Sequence, residues 1–247
     1  RRRRQGGRWP RNGVIDVNSG ACDHHGTHCA GIAASTTFGI AKGATIVPVS
    51  GLDCNGDGTS HSLLAGLEWI VSDAQTHSAR GVVSISLGGP ASIMSDYAIR
   101  SAHAHGLVAV TSAGNSNRDD ACEYSPAREP TAITVGSITY SYGLSSFTNL
   151  GSCVDIFAPG SSIQSTSSAH DNAYTSLSGT SMAAPHVTGA AAQLLSIYPT
   201  LTSDDVARAI NCVATTGAIS GVPSGTVNRL LRTGSVFSDP YDSLAVS

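Results

Sequence analysis

The chain has 247 residues, 40% hydrophobic and 13% charged, with a formal net charge of -3, and a chain of this length can bury one large core. That near-neutral balance excludes a strong electrostatic pull toward nucleic acid or a membrane surface, and no apolar run reaches the roughly 20 residues that a bilayer span needs. No signal peptide is visible, as expected of a mature extracellular chain and equally of an incomplete one.

Residues 1–12 hold six of the fourteen Lys and Arg, together with Gly6, Gly7 and Pro10, a composition that reads as disordered or as misassigned sequence. A helix is predicted over 25–34, where His25-Gly26-Thr27-His28-Cys29-Ala30-Gly31-Ile32-Ala33 sets a histidine ahead of small residues that let a helix lie close to a sheet. Further helices are predicted over 60–76, 92–105, 180–198 and 202–214, the longer ones with apolar residues recurring at spacings of three and four. Short apolar runs between them predict strands over 44–49, 81–85, 107–110, 132–135 and 153–156, and residues 161–178 read as a hairpin turning at His170-Asp171-Asn172. Strand and helix alternate, which predicts a parallel sheet with helices on both faces. Ligands of such sheets bind at the carboxyl ends of the strands, where Ser86-Leu87-Gly88-Gly89 and Ala113-Gly114-Asn115 would lie. There is no internal repeat.

Three of these segments carry chemistry. Ser178-Gly179-Thr180-Ser181-Met182-Ala183-Ala184-Pro185-His186-Val187 places a serine hydroxyl at a helix entry. Gly179 is expected to supply a tight turn that a Cβ would obstruct, and the first N–H groups of the helix would face an oxyanion formed at Ser181. A hydroxyl nucleophile needs a base of near-neutral pKa, which an imidazole such as that of His25 supplies. Thr111-Ser112-Ala113-Gly114-Asn115 ends an apolar run in an amide able to donate to an oxyanion. In the order His, Asn, Ser, these motifs resemble the subtilase family of serine peptidases, and its proteinase K-like branch in particular. The resemblance runs from about Asp16 to Gly234 and includes Gly39-Ile40-Ala41-Lys42-Gly43-Ala44, Ser84-Ile85-Ser86-Leu87-Gly88-Gly89, Tyr124-Ser125-Pro126-Ala127, Phe157-Ala158-Pro159-Gly160 and Gly225-Thr226-Val227-Asn228.

The resemblance implies an α/β, three-layer subtilisin-like fold over residues 13–234, with a tail at 235–247. It implies a secreted, monomeric serine endopeptidase acting on polypeptides, with His25 as base, Ser181 as nucleophile and Asn115 in the oxyanion hole. In subtilases the third catalytic group, an aspartate, ends a strand about thirty residues before the histidine. Val14-Ile15-Asp16-Val17-Asn18-Ser19-Gly20 imitates that motif superficially, yet Asp16 stands only nine positions before His25. The expectation is therefore a sheet lacking its N-terminal Asp-bearing strand, in a truncated form of an active enzyme whose aspartate would precede Arg1. A scaffold that has lost its aspartate and acts as a binding protein is the alternative.

Gly58-Thr59-Ser60 and Ser86-Leu87-Gly88 resemble the two edges that clamp an extended substrate main chain to main chain. Gly88, Gly89, Ala113 and Gly114 would line a roomy pocket without fixed charge, which predicts cleavage after apolar or aromatic residues. Asp53 and Asp57 near the rim would either favour basic residues farther from the bond or be plain solvated loop acids. By resemblance to convertase-like members, Cys22 would pair with Cys54 and Cys122 with Cys153, while Cys29 resembles a buried thiol of the branch and Cys212 has no evident partner. Six cysteines suit an oxidising compartment. A structural Ca²⁺ would sit on the carbonyls of Pro130 and Ala132 and on Asp155, although Asp155 also reads as an ordinary strand-end carboxylate. No organic cofactor is implied. Taken alone, Cys22-Asp23-His24-His25-Gly26-Thr27-His28-Cys29 also has the residue types of a zinc cluster, but helical spacing would aim His25 and His28 only roughly together.

Overall fold

The structure, a computed structural model, describes residues 24–234 and the main chain of residues 13–16. The basic segment 1–12, the tail 235–247, Cys22 and Asp23 lie outside the described residues. In chain order the elements are β1 (Gly13–Asp16), α1 (His24–Ala34), β2 (Thr45–Pro48), α2 (Ser60–Thr76), β3 (Gly81–Ile85), β4 (Gly89–Pro90), α3 (Ile93–Ala104), β5 (Val108–Ser112), β6 (Tyr124–Ser125), β7 (Ala132–Ile138), β8 (Ile156–Pro159), β9 (Ile163–Thr166), β10 (Tyr174–Leu177), α4 (Thr180–Ile197), α5 (Ser203–Val213), β11 (Thr215–Thr216) and β12 (Arg229–Leu230).

Among the described residues eight strands form one sheet in the order β11-β12-β8-β7-β5-β3-β1-β2. All neighbours pair in parallel except β11 with β12. Central strands β3, β5 and β7 are buried along their whole length, as a parallel sheet covered on both faces requires. Side chains alternate between two cores. Val82, Val108, Val110, Ile133 and Val135 pack with Ala184, Val187, Ala191 and Leu194 of α4 and with Val206 and Ile210 of α5. On the other face Val83, Ile85 and Ala109 pack with Leu63, Leu67 and Ile70 of α2 and with Ala98, Ile99 and Ala102 of α3.

Local chemistry sets the helix starts. Reciprocal capping boxes at Thr59/Ser62 and Thr202/Asp205 open α2 and α5, and the Ser92 hydroxyl caps α3. One strand is displaced from its predicted place: β8 begins at Ile156, not Cys153. Cys153 is tied to Cys122 by a disulfide, and Asp155 turns its carboxylate onto the Thr134 N–H. Cys54 is also disulfide-bonded; Cys22, its expected partner, is outside the described residues. No helix among the described residues is long and apolar enough to cross a membrane.

The N-terminal expectation is corrected. Instead of a sheet without an Asp-bearing strand, β1 lies between β2 and β3, with Asp16 at its carboxyl end in register with Pro48 and Ser84. Without β1 two strands would expose unpaired N–H and C=O groups to each other across a gap. Four residues that include the β-branched Val14 and Ile15 close both ladders. The family spacing to the histidine was the wrong guide, because pairing demand and local strand propensity act at any loop length.

Candidate active site

Ser181 sits in the first turn of α4. Its entry residue, Gly179, has φ 164° and ψ 161°, which is extended backbone open to any residue, so the expected glycine-only turn is not present. The glycine has another consequence. A Cβ placed on Gly179 would stand 3.5 Å from Asn115 Nδ2 and 3.6 Å from the Ser181 amide nitrogen, so these two nitrogens border one spot beside the glycine.

The Asn115 amide is oriented by its partners. The Thr180 N–H and the Thr180 hydroxyl both donate to Asn115 Oδ1, each at 2.8 Å, and the Gly114 N–H donates to Thr180 Oγ1 at 3.2 Å. A main-chain N–H bonds only an acceptor, which assigns the oxygen and turns the NH₂ group outward. The loop beneath needs Gly114: its φ is +102°, and a Cβ would collide with the buried Asn149 amide, whose Oδ1 accepts the Ser116 N–H.

His25 occupies the first turn of α1 and lines a cleft of about 460 Å³, with Gly58, Thr59 and Ser60 on one side and Ser86, Leu87, Gly88 and Gly89 on the other. A second hollow of about 220 Å³ is lined by Ala113, Gly114, Asn115 and Ser181 together with the same 86–89 segment. Both hollows are lined by residues 86–89 and by Ser125, and each predicted catalytic and substrate-binding residue lines one or the other. Sequence reading missed Leu52 and Leu63 in the first hollow and Tyr124, Ser125 and Ala127 in the second. The latter three arrive through the antiparallel pairing of β4 with β6, Gly89 opposite Ser125, a long-range contact without a local signal. Asp57 lies on the cleft wall, whereas Asp53 Oδ1 accepts the N–H groups of Asn55 and Asp57. Those bonds hold its carboxyl below the ordinary range and identify Asp53 as a loop former.

Beneath the cleft the β9–β10 hairpin is fastened to α1. His28, fully buried, shares its Nε2 hydrogen between the carbonyls of Ile163 at 3.0 Å and Thr175 at 3.2 Å, one on each strand. Ser165 and Thr166 donate in return to the carbonyls of His28 and Thr27. Burial lowers the His28 pKa, against the raising effect of its two carbonyl partners. The Cys29 thiol donates to the Ser181 carbonyl. His28 and Cys29 of the zinc reading are engaged in these bonds, Cys22 lies outside the described residues, and among the described residues no group of three His, Cys, Asp or Glu side chains could hold a metal ion.

At the expected calcium position, Asp155 Oδ2 accepts the Thr134 N–H at 2.8 Å. Burial raises the Asp155 pKa to about 6, opposed by that bond and by the charge of Arg229. Pro130 and Ala132 stand four and two residues before Thr134 on the segment entering β7. The half-buried Asp155 carboxylate supplies hard oxygen of the kind a divalent cation prefers.

Comparison with known proteins places these features in a lineage. A family model described as the subtilase family matches residues 9–232. The chain is 48% identical over 212 residues to an extracellular serine proteinase of Thermus sp. (strain Rt41A), covering 86% of this chain and 51% of that protein. It is 43% identical over 216 residues to alkaline serine exoprotease A of Vibrio alginolyticus, covering 87% and 39%. The chain thus spans about half or less of the length of these relatives. A crystal structure of a cold-adapted subtilisin-like serine proteinase superposes with a TM-score of 0.82 at 43% identity, over 87% of this chain and 76% of that one.

Proposed function

This chain belongs to the subtilase family, and on that premise we propose that it is a serine endopeptidase working by acyl transfer. The observation that carries the reading is that Asn115 Nδ2 and the Ser181 amide nitrogen border one spot beside Gly179, where the oxygen of a tetrahedral intermediate would lie. The Ser181 hydroxyl attacks the scissile carbonyl, and His25 takes its proton and returns it to the leaving amine. Water repeats the sequence on the acyl-enzyme, releasing the acid and restoring the serine. An extended substrate lies between residues 58–60 and 86–88, gripped through main-chain hydrogen bonds. The residue before the cleaved bond enters the second hollow, whose lining of Ala113, Gly114, Ser125, Ala127 and Tyr124 carries no fixed charge and suits apolar or aromatic side chains. A disulfide and one relative named as extracellular support a secreted enzyme.

Asp16 takes the role of the third catalytic group in this reading. It ends a strand of the central sheet beside Ser84, two residues before the segment that both hollows share. An aspartate there would hold the His25 imidazole in its productive tautomer and stabilise the imidazolium. Pro130, Ala132 and Asp155 would bind a structural Ca²⁺, neutralising the buried Asp155 carboxylate.

Labelling with a fluorophosphonate probe tests the core of the proposal: the chain should label at Ser181, and the Ser181→Ala variant should neither label nor cleave casein. Residual proteolysis by purified Ser181→Ala would refute the assignment. Asp16→Asn should lower kcat by about 10⁴ with KM little changed, and an undiminished kcat would remove Asp16 from the mechanism. Adding EGTA should lower the melting temperature by several degrees, and an unchanged melt would leave Asp155 as a plain strand-end carboxylate.

A further inference from the structure

Helix α4 contains Pro185, four residues after the nucleophile. Proline has no amide hydrogen, so the Ser181 carbonyl lacks the i+4 donor that an α-helical carbonyl normally receives. That carbonyl is nevertheless bonded twice. The Ser86 hydroxyl donates to it at 2.9 Å and the Cys29 thiol at 3.3 Å. Ser86 is 3% exposed and Cys29 is fully buried, so water does not replace either donor. In the reverse direction the Ser181 hydroxyl donates to the Ser86 carbonyl at 3.2 Å. Nucleophile and substrate-clamping segment thus exchange a pair of hydrogen bonds, and the His25 helix reaches the same oxygen through Cys29.

We propose that the carbonyl released by Pro185 is the junction that sets the nucleophile against the rest of the site, with Ser86 and Cys29 as positioning residues. The inference rests on Ser181 being the nucleophile. Three elements carry the separate parts of the reaction: α1 brings His25, the end of β3 brings the clamp and α4 brings Ser181. An ordinary helical carbonyl would be spent inside α4. Pro185 makes it available to side chains from the other two elements, so the depth of Ser181 relative to His25 and to the bound substrate is fixed at one atom. Ser86 has a second role in this arrangement. Its main-chain carbonyl holds the resting Ser181 hydroxyl, while its side chain holds the Ser181 main chain.

The test is a kinetic cycle on the full chain, with kcat expressed per active site titrated by the fluorophosphonate probe so that misfolded protein does not count. Ser86→Ala should lower kcat about tenfold, the fold-change of one net hydrogen bond, with KM within about twofold because the clamping main chain is retained. Pro185→Ala supplies the missing N–H to the Ser181 carbonyl. In that background Ser86→Ala should cost no more than about twofold. Cys29→Ala should lower kcat and Cys29→Ser, which keeps a donor, should restore it; this pair reads the same oxygen from another element. An equal loss from Ser86→Ala in both backgrounds, or no loss in either, overturns the proposal while the peptidase assignment stands. A parent chain that folds but neither labels nor cleaves overturns that assignment, and the positioning roles with it.

Discussion

Asn115 is exposed, yet three hydrogen bonds in series fix it: Gly114 N–H to Thr180 Oγ1, and both Thr180 donors to Asn115 Oδ1. The amide is therefore oriented before substrate arrives, the condition under which a donor stabilises a developing oxyanion without reorganising. Asn115→Ala should lower kcat by about 10²–10³ with KM nearly unchanged, the loss measured on the oxyanion amide of a related subtilase. A matching rise in KM would instead mean that Asn115 binds the ground state. Thr180 is the less obvious residue here, because sequence gives a threonine at a helix start no role beyond capping. Its fully buried side chain links the Asn115 loop to α4.

At the scale of elements, α1 and the β9–β10 hairpin behave as one unit. Gly31 lies where the hairpin crosses the helix, and a Cβ there would run into the hydroxyls of Ser165 and Thr166. Both hydroxyls are already committed to carbonyls of α1. Alanine would gain about 1 kcal/mol of helix propensity over glycine, but overpacking costs about 1–3 kcal/mol, and neighbours this close make the clash prevail. Gly31→Ala should therefore destabilise the protein by about 1–2 kcal/mol in a urea melt, and a stabilised variant would show that the hairpin yields freely. The helical part of this arrangement was legible in sequence. The limits of α2 follow from its apolar spacing, and the small residues of α1 signalled close packing. The partner of that packing was not legible, since 135 residues separate His28 from Ile163 and pairings of such separation leave no periodicity. The same blindness hid the pairing of β4 with β6, whereas β1 was missed because the family spacing between aspartate and histidine was applied to Asp16. Motif order located His25, Asn115 and Ser181, whereas the Ser86–Ser181 exchange needed the assembled sheet.

Across the whole molecule, the α4 side of the sheet contains two histidines, His28 and His186, that burial biases toward the neutral form. His186 donates Nδ1–H to the Met182 carbonyl, and burial lowers its pKa to about 4, with the nearby His28 contributing in the same direction. The His28 pKa is lowered as well, burial being the largest cause. Both groups have an ordinary value of 6.5, so on acidification the unfolded chain takes up protons before the folded one does. The contribution of His186 to stability is fully present above about pH 6.5 and is lost as pH falls through its folded-state value near 4, and the lowered His28 pKa acts in the same direction. For His186 this amounts to on the order of 2 kcal/mol, after allowance for the part of the residue that solvent reaches. Asp155, whose carboxyl pKa burial raises to about 6, shifts stability the opposite way over the same range, so the effect is read as a difference: between pH 7 and pH 4.5 the parent should lose more melting temperature than His186→Gln, which cannot take up a proton. The melts should be run on the Ser181→Ala variant, so that self-cleavage does not imitate acid unfolding. Identical slopes for the His186→Gln variant and its parent would place the acid sensitivity elsewhere in the fold.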